Sequence, residues 1–125
     1  MRHKKKTVVL DRNSAARKAL MRTLAISLIM RGRVQTTPAK ARAVKSMVEK
    51  LITKGKEKNP SIIRQLESVL GNKQAAMRIV NILGPQYQKR PGGYITSAKV
   101  AARKGDGAAQ MMLELISDAA AKPKL

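Results

Sequence analysis

Between Asn13 and Met30 the pattern of apolar and polar positions changes character half-way. The first half sets Arg17, Lys18 and Arg22 among alanines. The second half, Leu24-Ala25-Ile26-Ser27-Leu28-Ile29-Met30, is apolar at nearly every angle around a helix axis, which is the pattern of a buried helix. The stretch predicts one helix of about five turns, whose second half runs through the middle of the fold while its basic first half emerges from it. Asn13 is the candidate N-cap and Gly32 the residue that stops the helix.

The pattern then shortens and lengthens again. Arg33 to Thr37 is β-favouring and reads as a short strand. Thr37-Pro38 predicts the N-cap and first residue of a second helix, because proline at that position loses no hydrogen bond. In this helix Ala41, Val44, Val48, Leu51 and Ile52 share one face, with Arg42, Ser46, Glu49, Lys50 and Thr53 opposite. Gly55 to Lys58 reads as a linker. Asn59-Pro60 repeats the capping device for a third helix with the stripe Ile62, Ile63, Leu66, Val69 and Leu70, ended by Gly71. A fourth helix starts at Asn72, turns Ala75, Ala76, Ile79, Val80, Ile82 and Leu83 inward, and stops at Gly84-Pro85.

From Tyr87 to Tyr94 the helical period is lost. Lys89 and Arg90 there flank the side-chain-free pair Gly92-Gly93, where main chain can approach a phosphate closely; Pro91-Gly92-Gly93 is equally the composition of an ordinary turn. Tyr94 to Ala102 and Met111 to Ile116 read as a hairpin around the basic turn Arg103-Lys104-Gly105-Asp106-Gly107. Propensity alone would make Ala108 to Leu115 a helix; the glycines and Tyr94-Ile95-Thr96 favour the hairpin.

Charge changes the picture most. The 125 residues hold 27 Lys and Arg against 7 Asp and Glu, a net +20. Such an excess repels itself in a compact state and makes sense beside a polyanion. With no Phe, no Trp and two tyrosines, the core is expected to be aliphatic, and aromatic platforms for single strands have almost no residues to build them. There is no cysteine, His3 is the only histidine, and the carboxylates are scattered, so the chain does not read as an enzyme, and neither metal nor cofactor is expected. No apolar run approaches the roughly 20 residues that cross a bilayer, and residues 1–12 lack an export signal, so a cytoplasmic protein is expected.

Taken in order, Met1-Arg2-His3-Lys4, Leu10, Arg12-Asn13-Ser14, Arg17, Arg22, Thr36-Thr37 before Lys40-Ala41, Leu51-Ile52-Thr53, Leu83-Gly84-Pro85, Arg90, Gly92-Gly93-Tyr94 and Gly105-Asp106 resemble the family of bacterial large-subunit ribosomal protein seventeen. The similarity runs from residue 1 to about 118 with matching spacing. It implies an α+β fold of about four helices beside a small sheet of about three strands, made from the strand near Val34 and the C-terminal hairpin. Length, charge and pattern predict a basic extension (1–12), one domain (13–118) and a flexible tail (119–125). The resemblance also implies binding to 23S rRNA of the large subunit, a neighbouring protein of the thirty-two family, and a role in assembly and support of the subunit, with no homo-oligomer.

The candidate RNA-binding residues are therefore Arg2, His3, Lys4, Lys5, Lys6, Arg12, Asn13, Arg17, Lys18, Arg22, Lys40, Arg90, Gly92, Gly93, Tyr94, Arg103 and Lys104. Tyr94 could stack on a base or ribose, or pack within the hairpin. Three other classes fit less well. A nucleoid-type DNA binder would need a recognition helix with base-reading residues. A membrane-active protein would need interfacial Trp or Phe. A metal nuclease at Asp106 would need more oxygen ligands than one carboxylate supplies.

Overall fold

The all-round apolar stretch forms the second half of α1 (Ser14–Arg31) in the computed structural model, which describes residues 14–116. Ala25, Leu28 and Ile29 are fully buried, Leu24 and Ile26 pack against them from the margin, and Met30 turns outward. Gly32, at φ 86°, stops the helix, and its N–H reaches the Leu28 carbonyl at 2.8 Å. The expected Asn13 cap, the leader and the C-terminal tail lie outside the described residues.

Strand β1 (Arg33–Thr36) leads through Thr37 into α2 (Pro38–Gly55). Thr37 holds the N-cap position with extended backbone, yet its side chain makes no capping bond; Pro38 marks this start. The five residues predicted for the inner face of α2 are all buried. Gly55, expected in a linker, is instead the buried last residue of α2. Helix α3 (Pro60–Leu70) begins where the Asn59 side chain accepts the Ile62 N–H at 2.9 Å and ends at Gly71, whose φ of 68° suits a residue without Cβ. Leu66 and Leu70 centre its buried arc. Val69 was expected in that stripe but stands about 100° round the axis from Leu70, and it is exposed.

Helix α4 (Lys73–Arg78) is capped by Asn72, which accepts the Ala75 N–H at 2.9 Å. Gly84-Pro85, expected to stop this rod, does not end it. A π-helical turn, Ile79–Leu83, carries the chain into α5 (Gly84–Gln86), so the rod continues through Gln86. In the widened turn the Gly84 N–H reaches back to the Ile79 carbonyl, and Pro85 falls at the start of the next α-turn, where a missing N–H costs least. The change of phase also leaves Ile82 exposed, against the expectation that it faces inward. Packing fixes the crossing: a Cβ on Gly84 would lie 2.7 Å from the Gly55 carbonyl oxygen, and one on Gly55 would collide with Ile79 Cγ2.

Strands β2 (Ile95–Val100) and β3 (Gln110–Leu115) complete an antiparallel sheet of order β1-β3-β2. Val34 and Ser97 pair with Leu113, and Thr36 and Lys99 with Met111, so the helix-prone stretch becomes the central strand. Ser97 and Lys99 share a sheet face with the buried Ile95 and Leu113 but are themselves exposed, which shows the hairpin running past the helices. The α+β architecture is the expected one; the purely aliphatic core is not. Tyr87 and Tyr94 are fully buried with ring centroids 5.0 Å apart. Burial is possible because each hydroxyl is satisfied: Tyr87 donates to the Ile116 carbonyl, and Tyr94 shares a 3.0 Å bond with Thr53 Oγ1.

Candidate nucleic-acid interface

The exposed half of α1 presents Arg17, Lys18 and Arg22 to a groove whose other walls are Ser46, Met47 and Lys50 of α2 and Ser68 and Val69 of α3. Arg22 is fixed there. Its Nε donates to the Val69 carbonyl at 3.0 Å, in the last turn of α3, where helix carbonyls lack partners of their own and the dipole is negative. Arg78 does the same for α1, donating to the Ile29 carbonyl at 2.9 Å. These two arginines fasten helix ends together while remaining cationic.

A second groove lies between the outer face of α2 and the Gly92-Gly93 turn. Arg42, Lys45, Ser46, Lys50 and Lys54 line it together with Glu49, Glu57, Ile62 and Tyr94. A third, between α2 and α3, is lined by Lys54, Ser61, Arg64, Gln65, Ser68 and Val69. The grooves share walls: Ser46 and Lys50 belong to the first two, Lys54 to the last two. They form one continuous surface over α1, α2 and α3. Among the described residues no carboxylate lines the first or third groove, whereas the second carries two, and Glu49 Oε2 is buried there with no partner among them. The side of this surface between α1 and α3 is therefore the more strongly positive.

The Gly-Gly turn is open. A Cβ at Gly92 or Gly93 would meet nothing within 4 Å, although Gly93, at φ 66°, favours glycine for its conformation. Lys56 anchors the approach to it, with Nζ bonded to the Arg90 carbonyl and seated 5.0 Å from the centre of the Tyr94 ring. Tyr94 itself has no exposed ring face, so its placement is that of a packing residue and it has no surface on which a base could stack.

At the tip of the hairpin the charges are arranged differently. Arg103 grips Asp106 with two hydrogen bonds, Nη2 to Oδ2 at 2.5 Å and Nε to Oδ1 at 3.1 Å, and Asp106 also accepts the Ala108 N–H at 3.0 Å. The bond from Arg103, followed by that from Ala108, lowers the Asp106 carboxyl to about 2. The same bond raises the Arg103 guanidinium further above its ordinary range. Asp106 thus balances one of the two cations expected to bind RNA at this tip and leaves Lys104.

Of the candidates read from sequence, Arg17, Lys18 and Arg22 are joined by α2 to Gly92 and Gly93. Lys40 stands half-buried in the first turn of α2, Arg90 just before the glycine turn, and Arg103 and Lys104 on the separate hairpin tip. Arg2, His3, Lys4, Lys5, Lys6, Arg12 and Asn13 lie outside the described residues. Sequence reasoning passed over Arg42, Lys45, Lys50, Lys54 and Arg64. The signal was present, because Arg42, Ser46, Lys50 and Lys54 recur at four-residue intervals on the outer face of α2, but one helix does not reveal what lies beside it. Among the described residues there is no cluster of three or more metal-ligating side chains, and no helix is long and apolar enough to cross a membrane.

The family model for ribosomal protein L17 matches residues 20–116, the stretch that contains most of this surface. The chain belongs to the ribosomal protein L17 family. Among its relatives, the large ribosomal subunit protein bL17 of Gemmatimonas aurantiaca is 43% identical over 116 residues, which cover 93% of this chain and 98% of that one. The bL17 protein of Neorickettsia sennetsu is 40% identical over 117 residues, 93% of this chain and all of its own length. That of an Exiguobacterium species is 42% identical over 112 residues, 86% of this chain and 96% of the relative. The family resemblance borne by the scattered residues of the sequence is thus matched along nearly the whole chain.

Proposed function

We propose that this L17-family chain is a structural constituent of the bacterial large ribosomal subunit. It binds folded 23S rRNA through backbone phosphates, in the cytoplasm, and supports subunit assembly and translation. Membership of the family over residues 20–116 carries the reading, and the +20 charge with its carboxylate-poor helical surface supports it. The chain acts as a binder and not as a catalyst. The proposed ligands of phosphate are Arg2, His3, Lys4, Lys5, Lys6 and Arg12 of the leader, Arg17, Lys18 and Arg22 of α1, and Lys40, Arg90 and the Gly92-Gly93 turn, with Lys104 as an outlying contact. Phosphate contacts give affinity without reading bases, so the fit to one place on the subunit comes from the shape of the folded RNA and from neighbouring proteins, among them one of the thirty-two family.

If about 6 to 10 cations engage phosphates, affinity for naked rRNA falls about 10³- to 10⁵-fold between 50 and 200 mM salt. The direct test is a sucrose gradient of a native lysate, with the chain followed by mass spectrometry and the large-subunit peak re-run after a high-salt wash. Retention near one copy per subunit is the expected result. Migration as free protein or with the nucleoid would remove the reading.

A further inference from the structure

We propose that the face shared by α1, α2 and α3 is the seat of a double-helical segment of RNA, and that Lys50, Lys54 and Arg64, which the motif resemblance does not include, bind its phosphates. The inference rests on the rRNA-binding reading above and names both the surface and the form of RNA it takes. Lys50 lies on the wall shared with Arg17, Lys18 and Arg22, while Lys54 continues that wall toward Arg64. Among the described residues no carboxylate lines the groove beside α1 or the one between α2 and α3; Glu49 and Glu57 lie in the remaining groove, toward the Gly92-Gly93 turn, and exposed Ser46 and Ser68 add hydroxyl donors between the cations.

Two observations favour a paired segment over unpaired bases. The chain has no Phe or Trp, and both tyrosines are fully buried, so the face offers no aromatic ring on which an extruded base could stack. Its chemistry is that of cations and hydroxyls spread over three helices, which suits the phosphates and 2′-hydroxyls displayed along an A-form duplex. Its scale suits one as well: four residues from Lys50 to Lys54 advance the α2 axis by about 6 Å, so the row of charges follows a backbone instead of converging on one point.

The test measures the affinity of the full chain for a large-subunit rRNA transcript and for a plain RNA duplex across a range of salt. It compares the wild type with Lys50→Gln/Lys54→Gln/Arg64→Gln and with a control of equal charge loss, Lys58→Gln/Lys73→Gln/Lys99→Gln, at exposed positions outside these grooves. Losing three phosphate contacts should make the slope of log affinity against log salt shallower by about 2 to 3 on both RNAs, while the control keeps the wild-type slope. A Lys50→Arg/Lys54→Arg variant should also keep it, and circular dichroism melts verify folding of every variant. An unchanged slope in the first triple variant, an equal loss in the control, or binding to the transcript without binding to the duplex overturns the inference while leaving rRNA binding in place. Wild-type binding no tighter to the rRNA transcript than to duplex DNA in the same salt overturns both.

Discussion

The helical face and the hairpin tip are both basic and exposed, yet they hold their charges in opposite ways. On the helical face Arg22 spends one N–H on a helix end and has no ion-pair partner among the described residues; Arg17, Lys18 and Arg64 stand in grooves that no described carboxylate lines, and Lys50 and Lys54 border those grooves as well as the one that holds Glu49 and Glu57. On the hairpin, Arg103 is held in a bidentate pair with Asp106. The face is also backed by the core, with Leu66 and Leu70 of α3 and Val44, Val48 and Ile52 of α2 buried beneath it, whereas β2 is exposed on both faces from Thr96 to Lys99. Both regions are basic in sequence; the arrangement makes one a rigid positive platform and the other a locally neutralised turn.

The contrast in rigidity breaks most sharply at the crossing of α2 and the π-helical turn. Gly84→Ala forces a methyl group against the Gly55 carbonyl and should cost about 3 kcal/mol or more, because overpacking meets backbone that cannot swing aside. Urea unfolding measures it. Beneath the face, Leu66→Ala should cost about 2–5 kcal/mol, while Ala98→Ser on the exposed hairpin should stay within about 0.5 kcal/mol. Similar losses at both sites would show that the hairpin is as tightly integrated as the helices. A smaller loss, about 1 kcal/mol, is expected for Arg22→Ala, which leaves the last turn of α3 without its donor; Arg22→Lys should recover the charge but not the fixed geometry.

The contrast in charge is sharpened at Asp106. Asp106→Asn releases Arg103, and the salt slope for rRNA should steepen by no more than about 0.9, the increment of a single new phosphate contact. The carboxyl itself should titrate by NMR near 2 and return to the ordinary range in Arg103→Ala. Since its pKa is lowered in the fold, whatever the pair adds to stability is fully present above the ordinary carboxylate range and is lost as pH falls through about 2. Acid sensitivity at higher pH would have to arise elsewhere.

Local chemistry was easy to read where a single side chain decides the outcome. Asn59 and Asn72 cap the helices expected of them, and Gly32 and Gly71 end theirs, because a cap needs only a few neighbouring residues. Gly84-Pro85 misled for the opposite reason. The pair is a breaker in isolation, and only the π-helical turn packed on Gly55 lets the rod continue. The strand Gln110–Leu115 depends on partners nearly 80 residues away in β1, so its own propensity pointed to a helix; the turn glycines and Tyr94-Ile95-Thr96 tipped the reading to a hairpin, and the family resemblance settled it. Burial of the tyrosines likewise depends on distant hydrogen-bond partners, Thr53 and Ile116. The interface was half legible: the cations of α1 stood out beside its alanines, but those of α2 and α3 looked like ordinary solvated faces until the fold set them side by side.

The most direct measurement is amine labelling of the lysines in the free chain and in its complex with naked large-subunit rRNA, read by mass spectrometry. Strong protection of Lys18, Lys50 and Lys54 by the RNA, with Lys104 protected less and Lys99 still reactive, is the result expected of a platform that carries most of the binding and a hairpin that adds one outlying contact. Protection of Lys104 with Lys50 and Lys54 left reactive would contradict it.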